Sequence, residues 1–157
     1  QKDRSEVAKF ILEDLDKAKD LLFDRSKYAG LRISKEAAMM LAMQVALYEG
    51  SWEKYHKNDA FAADTDQSEY FFNEVLRWGD MLLNSGLQLN TRDTDKDVVN
   101  PGDAYGRLFN QKDYSSVTEA IFWKQYSITE GVFHALSGLL AGGVVDQNGL
   151  PGYRVNW

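Results

Sequence analysis

No cysteine occurs in the 157 residues. Disulfides, thiolate catalysis and cysteine-based metal centres are therefore excluded, and a chain without stray thiols suits an oxidising compartment. Histidine is almost as scarce. His56 and His134 stand far apart, and neither belongs to the H-x-x-x-H type of spacing that zinc sites use. A surface or partly buried structural role is the expectation for both. Long apolar runs are also missing. Nothing approaches the ~20 consecutive residues that a membrane-spanning helix requires. The longest apolar stretch, residues 37–48, is broken only by Gln44 and reads as a buried core helix. Basic charge is in deficit, with 18 Lys and Arg against 24 Asp and Glu, a net charge of -6 and a pI near 4.9. The basic residues are scattered among acids, which argues against phosphate-backbone binding. It argues equally against a polybasic attachment to lipid.

Hydrophobic residues make up 44% of the chain and aromatics 13%, enough to build a core at this length. The mean hydropathy of -0.45 is that of a water-soluble chain. The chain begins at Gln1 rather than Met and shows no signal peptide. It therefore reads as a piece of a longer protein.

Residues 5–23 carry Val7, Ile11, Leu15, Ala18 and Leu22 at spacings of three and four, which predicts an amphipathic helix capped by Ser5. Phe10 and Leu21 widen that stripe, and Glu13 and Lys17 are spaced as an i,i+4 ion pair. Gly30 marks a loop. Ser34 opens a second helix expected to stop at Gly50. That helix is apolar nearly all round, so it must be covered on more than one side. Its alanines at 37, 38, 42 and 46 allow close approach by neighbours. Ser51 begins a short separate turn with Trp52 and Tyr55, and a third helix follows from about Asp66 to Ser85. Its expected apolar face is Phe71, Phe72, Val75, Leu76, Gly79, Leu82 and Leu83, with Gly86 as its terminator.

Beyond Gly86 the pattern changes. Residues 90–97 are polar, 100–103 are a turn signal, and Tyr105, Leu108 and Phe109 mark a short helix. Residues 120–126 read as a short strand or an extended buried segment, and the glycine-rich stretch from Gly131 as loop. The fold expected is mainly α: tetratricopeptide-like stacked helical pairs over residues 1–86, with a loop-rich continuation of the same domain over 87–157. Ala46, Tyr48, Gly50 and Tyr55 echo the tetratricopeptide pattern, without its closing proline.

The segments also share a family's vocabulary. Leu15-Asp16-Lys17-Ala18 with Leu21-Leu22 resembles the "DLDKA…LL" helix of the SusD/RagB family. Arg32-Ile33-Ser34-Lys35-Glu36-Ala37-Ala38, running on through Leu41-Ala42 and Ala46-Leu47-Tyr48, is similar to its "RI(S/T)K.AA…LA…LY" helix, with Trp52 following. Leu82-Leu83-Asn84-Ser85-Gly86 resembles its "SG" helix end. Tyr105 with Leu108-Phe109 resembles its "Y..LF", and Glu119-Ala120-Ile121-Phe122 its "E.IF", with Tyr126 behind. Six motifs in the family's order cover residues 11–126. The family's "PT..L.D.Y" motif has no match. The resemblance implies a non-catalytic, surface-exposed outer-membrane lipoprotein that binds polysaccharide or oligosaccharide. It also implies a TonB-dependent, SusC-like transporter as partner, and no cofactor.

Candidate sites divide by chemistry. Asp93, Asp95 and Asp97 alternate as in a calcium loop, but Val98 stands where glycine and Ala104 where a bidentate glutamate belongs, so a solvated loop is the reading and no metal is expected. There is no G-x-S-x-G elbow, since Ser137-Gly138 lacks the preceding glycine. Glu119 and Glu130 lie near aromatics, the weakest of hydrolase signals among 24 acids. Sugar rings stack on aromatic faces while their hydroxyls take amide, carboxylate and guanidinium partners. Tyr153, Arg154, Asn156 and Trp157 combine those types and are the expected ligand contacts. Phe71, Phe72, Trp78 and Trp123 are expected in the core, with Trp52 wedged between helices. Three functions stay open in descending order: a nutrient-binding protein, a helical-repeat adaptor for a protein or peptide, and a hydrolase.

Overall fold

The computed structural model describes residues 3–89, 108–109, 113–127 and 130–132. Its helices are α1 (Arg4–Leu21), α2 (Lys35–Tyr55) and α3 (Ser68–Leu83), with a 3₁₀ turn at Arg25–Tyr28 between the first two. Among the described residues there is no strand, only an isolated antiparallel bridge between Ser127 and Val132. The expected mainly α fold of stacked helices is what forms. The chain divides into two compact units, residues 1–123 and 124–157. The second is described only at 124–127 and 130–132, where Lys124 lies over the Tyr126 ring and Ser127 Oγ accepts the Glu130 N–H. Of the expected short helix only Leu108 and Phe109 are described, both helical, and the polar run 90–97 lies outside the described residues.

α2 is the central element. Ala42 and Ala46 are completely buried and Ala38 nearly so. α1 presents Ala8 and Leu12 to it, and α3 presents Phe71 and Trp78. Burying a Phe or Trp side chain contributes roughly 1.5–3 kcal/mol, so these two dominate the small core. Gly50 faces Phe71 and Phe72 while Met43 faces Gly79, so α2 and α3 run antiparallel. α1 meets α2 with its start against the far end of α2, through Arg4–Glu49 and Ser5–Glu53. α1 and α3 therefore run parallel, and long side chains link them: Lys9 lies over the Tyr70 ring and bonds Gln67, and Arg77 reaches Asp16. No helix among the described residues is long and apolar enough to cross a membrane.

Several expectations are corrected. α1 starts one residue early, capped by Asp3, whose carboxylate accepts the Arg4 N–H. Ser5 is not a cap: it is fully buried and donates to Glu53. The buried stripe is Ser5, Ala8 and Leu12 with Leu15 beside it, while Val7 and Ile11 stay exposed. Small residues win that face because α2 approaches closely. Lys17 pairs with Asp14. α2 runs through Gly50 to Tyr55, so the separate turn after Ser51 does not exist. A Cβ on Gly50 would sit 3.1 Å from the Phe71 Cβ and 3.2 Å from the Phe72 ring, so this glycine serves helix contact, not termination. α3 begins after Gln67, with Asp66 accepting the Ser68 N–H and pairing with Lys57 at 2.6 Å. Chiefly because of Lys57, the Asp66 carboxyl is pushed down to about 2. On α3 the buried positions are Ser68, Phe71 and Trp78 while Leu76 and Leu83 are exposed, and Phe72 is half-buried. Trp78 is completely buried and its indole N–H finds no acceptor among the described residues.

The segment 113–123 is extended and turned rather than strand, and its Phe122 is exposed. It is held by one buried arginine. Arg25 donates to the carbonyls of Ala120 (2.8 Å), Val117 (2.9 Å) and Tyr114 (3.0 Å), with Ser115 at 3.4 Å. Burial pushes its guanidinium down from the usual arginine range and Glu36 opposes this; it stays charged at any physiological pH. Glu36 in turn accepts the Arg25 backbone N–H. Trp123 completes the attachment, its amide donating to Gly30 and its indole to Ala29. Gly30 sits at φ +81°, and a Cβ there would lie 2.9 Å from the Trp123 ring.

Two substitutions test this architecture by urea denaturation. Arg25→Met strands buried carbonyls and is expected to cost about 3 kcal/mol. Gly50→Leu forces α2 and α3 apart and is expected to cost about 2 kcal/mol, despite removing a glycine from a helix interior.

Candidate functional site

Because α2 continues past Gly50, Tyr48, Trp52 and His56 fall at i, i+4 and i+8 on one face of it. Their rings form a ladder. Tyr48 and Trp52 stack at 6.2 Å with planes 29° apart, and Trp52 and His56 at 4.1 Å with planes 28° apart. Phe61, from the loop after α2, meets Trp52 edge-on at 6.1 Å and His56 at 5.9 Å. Tyr48 and Phe61 are 61% and 64% exposed, and the half-buried Trp52 ties them together.

The loop is shaped by one carboxylate. Asp59 accepts the Phe61 N–H at 2.8 Å through one oxygen and meets His56 Nδ1 at 2.6 Å through the other. The Trp52 indole N–H donates to the Phe61 carbonyl at 3.3 Å. His56, and then the Phe61 amide, hold the Asp59 carboxyl below the usual carboxylate range.

The other end of the ladder is closed by α1. The Arg4 guanidinium lies 4.3 Å from the Trp52 ring centre and 5.5 Å from that of Tyr48, both within cation–π range. Its Nε is 2.8 Å from both oxygens of Glu49. Burial raises the Glu49 carboxyl and the Arg4 hydrogen bond only partly opposes it. Beside this pair a groove of about 570 Å³ opens between α1 and α2, lined by Val7, Ile11, Val45 and Tyr48 among others. A second cavity of about 420 Å³ lies between α2, the end of α3 and the 119–121 segment, lined largely by Met40, Met43, Leu82, Leu87 and Ile121.

This arrangement offers ring faces, a guanidinium and a carboxylate. Among the described residues no hydroxyl or thiol bonds the His56 imidazole, and no three His, Asp or Glu side chains group as a metal site would. The expected contacts Tyr153, Arg154, Asn156 and Trp157 lie outside the described residues, as do His134 and Asp93, Asp95 and Asp97. Glu130 is exposed in the second unit; Glu119, in the first, is half-buried at the second cavity. Trp52, expected to wedge between helices, is half-buried, with Arg4 of α1 over its ring and Tyr48 and His56 stacked beside it. The spacing 48, 52, 56 carries the ladder's signal in the sequence, and it becomes one face only because α2 continues through Gly50.

Comparison with protein-family models, with curated proteins and with solved structures finds no match for this chain.

The Glu49 environment fixes a sign. A carboxyl whose folded pKa is raised binds its proton more tightly when folded, so its contribution is most favourable while protonated. That contribution is lost as pH rises from about 4.5 through the raised value. Unfolding free energy followed by urea titration across this window is expected to fall less steeply with rising pH in Glu49→Gln than in the parent. An identical slope in both proteins would refute the assignment.

Proposed function

We propose that the chain is a non-catalytic glycan-binding protein of the SusD/RagB type, acting at the outer membrane with a TonB-dependent, SusC-like transporter. The order of the six sequence motifs supports the family. The observation that carries the binding reading is the open aromatic ladder of Tyr48, Trp52, His56 and Phe61, flanked by Arg4 and Asp59. A pyranose presents an apolar C–H face and a polar rim. The first suits the exposed Tyr48 and Phe61 side chains, and the second suits guanidinium and carboxylate. Binding of this kind needs no bond to break.

A second reading rests on the groove between α1 and α2. Its apolar walls suit the apolar stripe of a helical peptide, the usual occupant of such grooves. On that reading the chain is an interaction module built on helical repeats.

Calorimetry of the chain against a panel of bacterial, plant and host polysaccharides separates the two. Binding to at least one glycan is expected, weakened about tenfold (about 1.4 kcal/mol) by Tyr48→Ala or Phe61→Ala, with no sugar released. Both side chains are exposed, so the fold survives their loss. Silence with every glycan, together with binding of amphipathic helical peptides that Val45→Glu abolishes, would favour the interaction module. Release of reducing ends would overturn the non-catalytic assignment.

A further inference from the structure

A second aromatic cluster lies away from the ladder. Leu108, Phe109, Tyr114, Glu119, Phe122 and Trp123 line most of a cavity of about 350 Å³. Tyr114 and Trp123 hold their ring centres 5.5 Å apart with planes 51° apart, so the pair is angled rather than stacked. The backbone that carries these rings is fixed from behind. Arg25 donates to the Tyr114 and Ala120 carbonyls, and the Trp123 amide and indole donate to Gly30 and Ala29. A site held in place before binding spends little on ordering.

We propose that this cavity is an aromatic cage for a small, free quaternary ammonium cation of the choline class. The ligand follows from what the lining offers and what it withholds. Aromatic rings attract a cation through their quadrupole, and a cluster of them is a recurrent receptor for quaternary ammonium groups. The Trp123 indole N–H is already committed to Ala29, so that ring offers a ligand no hydrogen bond. Among the described residues no amide or guanidinium side chain lines the cavity. A pyranose placed there would leave hydroxyls without partners, which is costly. A quaternary ammonium has no N–H to satisfy, and its methyl groups carry both its charge and its apolar surface. The Glu119 carboxylate at the cavity and the chain's net charge of -6 favour a cation. The same acidity disfavours an ammonium tied to a carboxylate or a phosphate, so choline is preferred to betaine or phosphocholine. Arg25, the cation behind the segment, is buried, and Glu36 opposes its charge. The cage shares no residue with the ladder and does not rest on the glycan reading.

The test is a nuclear magnetic resonance titration of the full chain that follows the Trp123 indole N–H. The ligands are choline, tetramethylammonium, phosphocholine and the neutral analogue of choline with carbon in place of nitrogen. Choline and tetramethylammonium are expected to shift the signal saturably, and the neutral analogue to bind about tenfold more weakly, as loss of a partly desolvated cation–π contact requires. Phe122 is exposed, so the fold survives its replacement. Phe122→Leu keeps an apolar wall without a ring and is expected to weaken choline about fivefold, while Phe122→Tyr leaves it within about twofold. A neutral analogue that binds as tightly as choline would overturn the cage, as would Phe122→Leu binding like the parent. Shifts at Trp52 instead of Trp123, or no saturable shift with either cation, would overturn it too. Phosphocholine binding more tightly than choline would transfer the site to a lipid headgroup and overturn the free cation as its ligand. Because no sugar enters this measurement, failure of the glycan reading leaves its outcome unaffected.

Discussion

The Glu53 carboxylate, 2% exposed, is the point at which all three helices meet. One oxygen accepts the Ser5 hydroxyl at 2.6 Å from the first turn of α1, and the other accepts the backbone N–H of Gln67, the residue that caps α3. A buried charge needs partners to be tolerated, and here they come from two helix starts, whose dipoles favour a negative charge. The parallel course of α1 and α3 follows, because both begin at the same carboxylate. Glu49, one turn earlier on α2, repeats the device with Arg4. The up-down-up arrangement is thus pinned at one end by acids and filled between by alanines, Phe71 and Trp78.

The opposite end is secured by a reversed polarity. There a buried cation, Arg25, gathers carbonyls of 114–120, and Glu36 at the start of α2 holds the Arg25 backbone. α2 therefore carries three buried glutamates: Glu36 fastens the 3₁₀ turn, Glu49 fastens α1, and Glu53 fastens α1 and the start of α3. Such a helix is less a member of a repeat than an axle. The aromatic ladder grows from its free face at the acid-pinned end. Its position is thus a consequence of the same contacts that align α1.

Much of the helical plan was legible because apolar spacing survives any packing detail. Ser34 capped α2 where its position said it would, and the alanine-rich row was the buried one. The errors share a cause. Ser5, Val7 and Ile11 on α1 were misassigned because hydrophobicity ranks side chains by type. A closely approaching helix selects by size and lets a serine in when a carboxylate waits for it. Gly50 was misread because a glycine that ends a helix and a glycine that admits a neighbour look alike until the neighbour is present. Arg25 gave no signal at all, since its carbonyl partners lie some ninety residues downstream.

The sequence alone determined the helices, their approximate limits and the need for α2 to be covered on two sides, because these follow from local periodicity and composition. Tertiary structure alone decided which face of α1 is buried, that Gly50 lies inside a helix, and that Arg4, Asp59 and Phe61 converge on Trp52. These depend on distances between segments remote in the chain, and no local pattern encodes such a distance.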